Sequence, residues 1–452
     1  MAKGFSQCPG YDYDETYAST VKWATLRAIL ALAALEDLEI ESVDISSAFL
    51  NGEIDAEVYM QQPEGFPQGK PDQVLHLLKS IYGLRQSPRL WHKKLNSILV
   101  KLGFKKIKSD ASVWVFDRDG VRIIVPVFVD DMTLVSKSKE KIKELKEELK
   151  KHFKLRDLGP TEFLLGVKVE RDRSKHTLHL SQHQYTLDVL KRFGFDSCSP
   201  VSTPLNPGTK LSQDQCPTTV EEIEAMRAVP YAHAVGSLMY LAVSTRPDIA
   251  HAVGVLARFS ANPGQAHWTA VKHLFRYLKG TINYKLTYSP DKFSSSLFTV
   301  YSDADHAGCK DTGRSTGAYV VKMGTGAVSW SSKLQPIVAL STTEAEYVAA
   351  CSAGTEICWL RNLFTELGLD LSSTSSPLNI DNQSAIAVAK NPEHHGRMKH
   401  LDLRYYWLRD EVEKKVITVF YCPTAKMPAD LLTKPLPLAK VKECCRMLGL
   451  GL

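Results

Sequence analysis

The sequence predicts a multidomain protein of mixed class, α+β in its first part and α/β in its last. Three observations support this. The chain has 452 residues, too many for one ordinary core at roughly 100–200 residues per domain. Residues 112–136 read as an apolar hairpin followed by a further strand. From Leu297 onward come three antiparallel-like strands, then alternating helix and strand.

Composition narrows the class. Hydrophobic residues make up 44% and charged residues 23%, which excludes fibrous and disordered chains. A net charge of +6 permits a polyanionic partner without requiring one. Nine scattered cysteines include no C-x-x-C pair, so neither a disulfide framework nor a zinc ribbon is suggested and a reducing compartment fits. Met1 to Gly10 lacks the order of a signal peptide. The longest apolar run, Ala28 to Leu35, falls short of the roughly 20 residues of a membrane span, so no membrane is expected.

The elements follow in order. Apolar spacing predicts a helix from Leu26 to Leu38, feeding a strand with Ile40, Val43 and Ile45 that carries Asp44. A second helix, Leu84 to Leu102, sets Trp91, Leu95 and Leu99 on one face. The hairpin runs from Ser112–Asp117 through the turn Arg118-Asp119-Gly120 to Val121–Val129, its Asp-Gly step being a strong turn signal. Asp130 and Asp131 then stand at a hairpin tip before the strand Met132–Ser136. Between Lys137 and Lys154 eight lysines and four glutamates surround the stripe Ile142, Leu145, Leu149 and Phe153, as in a surface helix lying on a core. A Pro-rich connector, Ser199 to Pro217, precedes a helical stretch to Lys279, and a polar loop, Ser289 to Ser296, marks another boundary. The last part reads as strands Leu297–Asp303, Gly317–Met323 and Ala327–Ser331, helix Thr343–Leu367, strand Leu378–Asp381 and helix Gln383–Lys390. A loop His394–His400, helix Leu403–Glu413, strand Ile417–Tyr421 and a final short helix complete it.

Two sets of acids stand out. Asp44 ends an apolar strand and Asp130-Asp131 is flanked by apolar strands. Adjacent carboxylates at a buried tip resist ionising together unless a cation neutralises them. Read alone, the pair is an ordinary acidic turn. The other set, Asp303, Glu346, Asp381 and Asp430, lies at strand ends and helix starts, where each acid alone is an ordinary cap or surface residue.

Three motifs decide between these readings: Val43-Asp44-Ile45-Ser46-Ser47-Ala48-Phe49-Leu50-Asn51-Gly52, Tyr82-Gly83-Leu84-Arg85-Gln86-Ser87-Pro88-Arg89 and Phe128-Val129-Asp130-Asp131-Met132. With them the chain resembles the reverse transcriptase of Ty1/copia-type LTR retrotransposon Pol polyproteins, and its last part is similar to the ribonuclease H of those elements. The resemblance runs from Ala2 to about Leu448. It implies a right-hand polymerase of fingers, palm and thumb followed by an RNase H-like α/β domain. The implied divisions are reverse transcriptase over 1–198, a mainly helical thumb and connection over 199–296, RNase H over 297–436 and a tail over 437–452.

The same resemblance implies site roles. Asp44, Asp130 and Asp131 form the polymerase acids, and Asp303, Glu346, Asp381 and Asp430 the ribonuclease acids. Each set holds two Mg²⁺ or Mn²⁺ ions, roughly 3.5–4 Å apart, for in-line phosphoryl displacement. Glu346 is preferred over Glu344 because an aromatic and Val-Ala-Ala follow it. Phe49 would exclude a 2′-hydroxyl, or else is a core phenylalanine. Gln86 would contact nucleotide or template, or else caps the next helix. Gly166 looks like a primer-grip turn and His400 like a product-release group. His394, His395 and His400 would otherwise suggest zinc, but no cysteine is near and a polar loop is the simpler reading.

Implied partners are an RNA template, a DNA primer, RNA–DNA hybrid, deoxynucleotides and other segments of a Gag-Pol polyprotein. The implied setting is intracellular, in a cytoplasmic virus-like particle or the nucleus. In the family a longer fingers segment, with a nucleotide-contacting basic residue, precedes the stretch Ala2-Lys3-Gly4-Phe5. The sequence is therefore expected to be N-terminally truncated, to lack gag, protease and integrase regions, and to cleave hybrid better than it extends primers. The competing expectation is a truncated, polymerase-inactive remnant that only binds nucleic acid or retains RNase H activity.

Overall fold

The structure, a computed structural model, describes residues 1–70, 72–291, 296–390 and 406–452. The chain divides into two compact units, one of Met1–Lys22, Leu38–Thr161 and Leu363–Leu369, the other of Trp23–Asp37, Glu162–Asn362 and Asp370–Leu452.

The first unit is built on a six-stranded antiparallel sheet. Its order is Lys105–Lys106, Val113–Arg118, Val121–Phe128, Asp131–Ser136, Glu39–Ile45 and Leu155–Pro160. The Asp-Gly hairpin forms as expected, with Asp119 at φ 54° and Gly120 at φ 74°, the twist-compatible turn that favours these residues. Two helices, Ser87–Lys101 and Lys139–Lys150, bury Trp91, Leu95, Leu99, Ile142, Leu145 and Leu149 against Val43, Ile45, Trp114, Val125 and Leu134 of the sheet. The first of these helices begins at Ser87 rather than Leu84, because Pro88 is suited to a first turn. The second starts where the Ser138 side chain accepts a hydrogen bond from the Lys141 amide.

One lysine of that second helix departs from the surface reading. Lys146 is buried and pairs with both Glu41 and Asp157. Two carboxylates offset the cost of burying its ammonium.

The second unit holds two five-stranded sheets and a helical cluster. One sheet is antiparallel, in the order Leu450–Gly451, Lys285–Tyr288, Thr177–Ser181, Val167–Asp172 and Phe163–Leu164. The helices Tyr231–Ser244, Ala250–Ala257 and Gln265–Gly280 share a core of Leu238, Leu241, Val253, Leu256, Leu274 and Leu278. The helix Trp23–Leu35 belongs to this unit and is buried nearly all round from Thr25 to Ala34. Its Arg27 is buried as well, donating to the carbonyls of Val328 at 2.7 Å and Ser244 at 2.9 Å while lying over Trp330.

The other sheet has the order Gly326–Leu334, Thr316–Met323, Phe298–Ala304, Ser376–Ile380 and Ile417–Tyr421. The first three strands pair antiparallel and the last two join in parallel. The 25-residue helix Thr342–Glu366 follows the antiparallel strands. This is the mixed arrangement the sequence predicts. Its consequence is functional: at a parallel pair, the carboxyl ends of two strands open at the same edge.

Candidate active sites

The first acids are brought together by strand register. Asp44 lies directly opposite Asp131 in the antiparallel pairing, and Asp131 in turn opposes Phe128 across a two-residue turn of Val129 and Asp130. Asp130 thus occupies the tip, whereas Asp131 opens the strand. Val129 takes φ 57°, a conformation costing a β-branched residue about 1–3 kcal/mol. Two bonds hold it: Trp91 Nε1 donates to the Val129 carbonyl at 2.7 Å, and the Ile45 amide donates to the Asp130 carbonyl at 3.0 Å. The side chain of Asp130 is left out of this bonding. Burial raises the pKa of Asp131, and the charges of Asp130 and Asp44 raise it further.

Phe49 follows on the short turn Ala48–Asn51, half-buried, with its ring edge-on to Tyr82 at 4.7 Å. It packs on the core and also lines a cavity of about 210 Å³ with Trp91, His92, Trp114 and Val129. Tyr82, to which no role was given from sequence, faces the acids. Burial raises its pKa, as do the charges of Asp130 and Asp44. The only sequence signal was its place at the head of the Tyr-Gly-Leu-Arg-Gln motif. Gln86 is fully buried and its side chain makes no helix cap. Its amide instead donates to the Asp12 carbonyl and accepts from Gln7, each at 3.0 Å. Gly166, in the second unit, takes φ 79° in a turn joining Phe163–Leu164 to Val167–Asp172. A Cβ there would meet the Tyr240 hydroxyl at 3.0 Å. His400 lies outside the described residues.

Three of the four acids of the second set converge closely. Asp303 lies near the end of the strand Phe298–Ala304, and Asp381 immediately follows the parallel strand Ser376–Ile380. Glu346, on the first turns of the long helix, accepts the Ala304 amide through Oε1 at 3.3 Å. Oxygens of Asp303, Glu346 and Asp381 all lie within 4.8 Å of one another. Glu344 turns elsewhere, accepting the Leu340 amide at 2.8 Å. Asp430 is buried on the turn Pro428–Leu432 and faces Lys434 at 2.6 Å and Lys440 at 3.5 Å. Thr433 donates to Asp303, and Thr424 to Asp381 at 2.9 Å. Thr424, Thr433 and the two lysines gave no signal in sequence, because nothing local marks them as partners of distant acids.

The electrostatics follow from burial. Asp303 and Glu346 are only 1% and 6% exposed, and burial pushes both carboxyl pKa values up. Lys434 pulls Asp303 back while Asp430 raises it, and Asp303 and Asp381 push Glu346 further upward. Glu346 Oε2 is buried without a hydrogen-bond partner. A crowded set of hard oxygen donors with an orphaned buried oxygen fits a divalent cation.

The raised pKa values set a testable pH dependence. Their stabilising contribution is present below the ordinary carboxylate range and is lost as pH rises through the raised values, at about 1.4 kcal/mol for each tenfold change in proton affinity. The metal-free protein should therefore melt lower at about pH 8 than at about pH 5, and Mg²⁺ should restore more at the higher pH. Scanning calorimetry checks this, and equal gains at both pH values would contradict it.

Comparison with known proteins gives the family of the chain. Residues 1–207 match the family described as reverse transcriptase (RNA-dependent DNA polymerase). The whole chain is 46% identical, over 453 aligned positions, to the retrovirus-related Pol polyprotein from transposon TNT 1-94 of Nicotiana tabacum, covering 34% of it. It is 32% identical to a transposon Ty5-1 protein of Saccharomyces cerevisiae, with 70% of this chain covering all of that one. The chain belongs to the Ty1/copia-type retrotransposon Pol polyproteins. It spans about a third of the length of the larger polyproteins it matches. A solved foamy viral protease-reverse transcriptase in complex with RNA/DNA hybrid is 14% identical, with a TM-score of 0.45, over 90% of this chain and 46% of that one. Among the described residues no helix is long and apolar enough to cross a membrane, and none of the nine cysteines forms a disulfide.

Proposed function

We propose that this chain performs template-directed DNA synthesis and, through its last part, hydrolysis of the RNA strand of an RNA–DNA hybrid. The observation that carries the reading is the convergence of Asp303, Glu346 and Asp381 at the carboxyl edge of two parallel strands, in a chain of the reverse transcriptase family. The functional divisions follow the sequence: reverse transcriptase over 1–198, thumb and connection over 199–296, RNase H over 297–436 and a tail over 437–452.

In each site Mg²⁺ or Mn²⁺, two ions when fully loaded, would stabilise the attacking and leaving oxygens of an in-line phosphoryl displacement. Asp44 and Asp130 would hold ions in the first site, with Asp131 completing the acidic cluster. Asp303, Glu346, Asp381 and Asp430 would hold them in the second. The turn at Gly166 would support the primer. Gln86, bonded to Gln7 and Asp12, would serve the nucleotide or template side by fixing that segment. Recognition of an A-form hybrid would depend on shape more than sequence. The test is direct: with Mg²⁺, an RNA template, a DNA primer and deoxynucleotides, the purified chain should extend the primer and cleave a hybrid, and chelation should stop both. Absence of both activities in the loaded protein overturns the reading.

Phe49 supplies a sharper prediction. Its ring, braced edge-on by Tyr82, would lie beneath the nucleotide sugar and exclude a 2′-hydroxyl by bulk. Phe49→Val should then cut discrimination against ribonucleotides by roughly tenfold or more, the scale on which pocket shape discriminates small groups. Competing incorporation of deoxy- and ribonucleotides measures this. An unchanged ratio would make Phe49 a core residue only.

A further inference from the structure

The second acidic cluster contains its own positive charge. Lys434 Nζ lies 2.6 Å from Asp430 Oδ1 and 3.6 Å from Asp303 Oδ2. Its neighbour Thr433 donates to the same Asp303 oxygen. Lys440 approaches the other Asp430 oxygen at 3.5 Å and is itself anchored to the carbonyls of Thr424 and Ala425. Both oxygens of Asp430 therefore face ammonium groups, whereas in the trio of Asp303, Glu346 and Asp381 the ammonium reaches only Asp303, at the longer distance.

This divides the cluster unequally. The trio is preformed and includes a buried Glu346 oxygen with no hydrogen-bond partner, whereas the likewise buried Asp430 Oδ1 is met by the Lys434 charge at 2.6 Å. Asp430 is masked. We propose that the Lys434 ammonium is a built-in cation of this cluster, standing where a metal ion shared by Asp303 and Asp430 would stand, so that such an ion enters only by displacing it. The proposal rests on the metal-binding reading given above. Lys434 is a positioning residue in this scheme: it holds Asp430 and Asp303 in place before loading and sets the order in which ions enter.

The physical basis is that an ammonium and a divalent cation cannot share one pair of carboxylates. Each satisfies the same oxygens, and at a few ångströms their repulsion is large wherever water is scarce. Lys434 Nζ sits within ion-pair distance of both carboxylates. Its side chain is 40% exposed, which gives the head a way out toward solvent when an ion arrives.

The experiment counts ions. The full chain carrying Asp44→Asn and Asp130→Asn is titrated with Mn²⁺ alone, and free Mn²⁺ is followed by electron paramagnetic resonance. With the first acids silenced, the ions counted belong to the second cluster. One ion should bind tightly and a second at least about tenfold more weakly, the scale of one charge-assisted contact. Lys434→Met and Lys434→Gln should each tighten the weak ion by about tenfold and leave the tight one unchanged, whereas Lys434→Arg should keep the gap. Identical affinities before and after removal of Lys434, or equal tightening of both ions, overturns the proposal while leaving the metal site standing. If neither the parent nor Lys434→Met takes up Mn²⁺, the metal-binding reading itself fails and the proposal falls with it.

Discussion

Asp130→Asn is expected to abolish primer extension, lowering its rate roughly a hundred- to a thousandfold, as loss of a charged group aimed at the transition state does elsewhere. The local structure isolates this effect. It is the backbone carbonyl of Asp130, and not its carboxylate, that receives the Ile45 amide. The strained Val129 is held from the other side by Trp91. Asparagine keeps the volume and leaves both bonds intact, so melting temperature and hybrid cleavage should hardly move. What changes is the charge beside Asp44 and Asp131. Primer extension measured beside a melting curve separates the outcomes. Extension within about threefold of the parent would show that Asp130 is only a turn residue.

The parts legible in the sequence were those fixed by local chemistry. The Asp119-Gly120 turn was, because only residues tolerant of positive φ suit it. So was the strand Ile417–Tyr421, with the same bounds in the structure as in the sequence reading. The stripe on Lys139–Lys150 predicts its buried face, but nothing in that stripe predicts Lys146. Its burial depends on Glu41, 105 positions away. The helix Trp23–Leu35 was readable as a helix, while its membership of the second unit was not. A helix buried all round has no polar face to orient it.

The sites divide in the same way. Acids stand out in apolar surroundings, and a period of two places Asp44 on a strand. Register then sets Asp44 opposite Asp131, and no pattern in either strand alone specifies that pairing. The pair of parallel strands was visible only as separate elements, so the shared edge of Asp303 and Asp381 came from the fold. Lys434 was missed for a simpler reason. A lysine four residues after an aspartate reads as an exposed helical pair, and its approach to Asp303 depends on the chain returning from 131 positions away.

Glu346→Gln is expected to remove hybrid cleavage, again by roughly a hundredfold or more, while leaving primer extension unchanged. It should do so without damaging the fold. Glutamine retains an oxygen to accept the Ala304 amide. It also replaces the unpartnered Glu346 Oε2 with a donor close to Asp303, turning a repulsion between like charges into an attraction. Because burial, Asp303 and Asp381 all oppose ionisation of Glu346, the metal-free variant should be more stable than the parent at neutral and alkaline pH, by at least ~1.4 kcal/mol, the free energy of a tenfold change in proton affinity. The advantage should shrink toward acidic pH, where Glu346 in the parent is already neutral. Adding Mg²⁺ should narrow it too, since the variant has lost a charged oxygen that an ion would use. Loss of cleavage with gain of stability distinguishes a metal-binding acid from a structural one, whose removal would cost both. Hybrid cleavage intact in a preparation free of contaminating nuclease, or a variant less stable than the parent at alkaline pH, would remove Glu346 from the site.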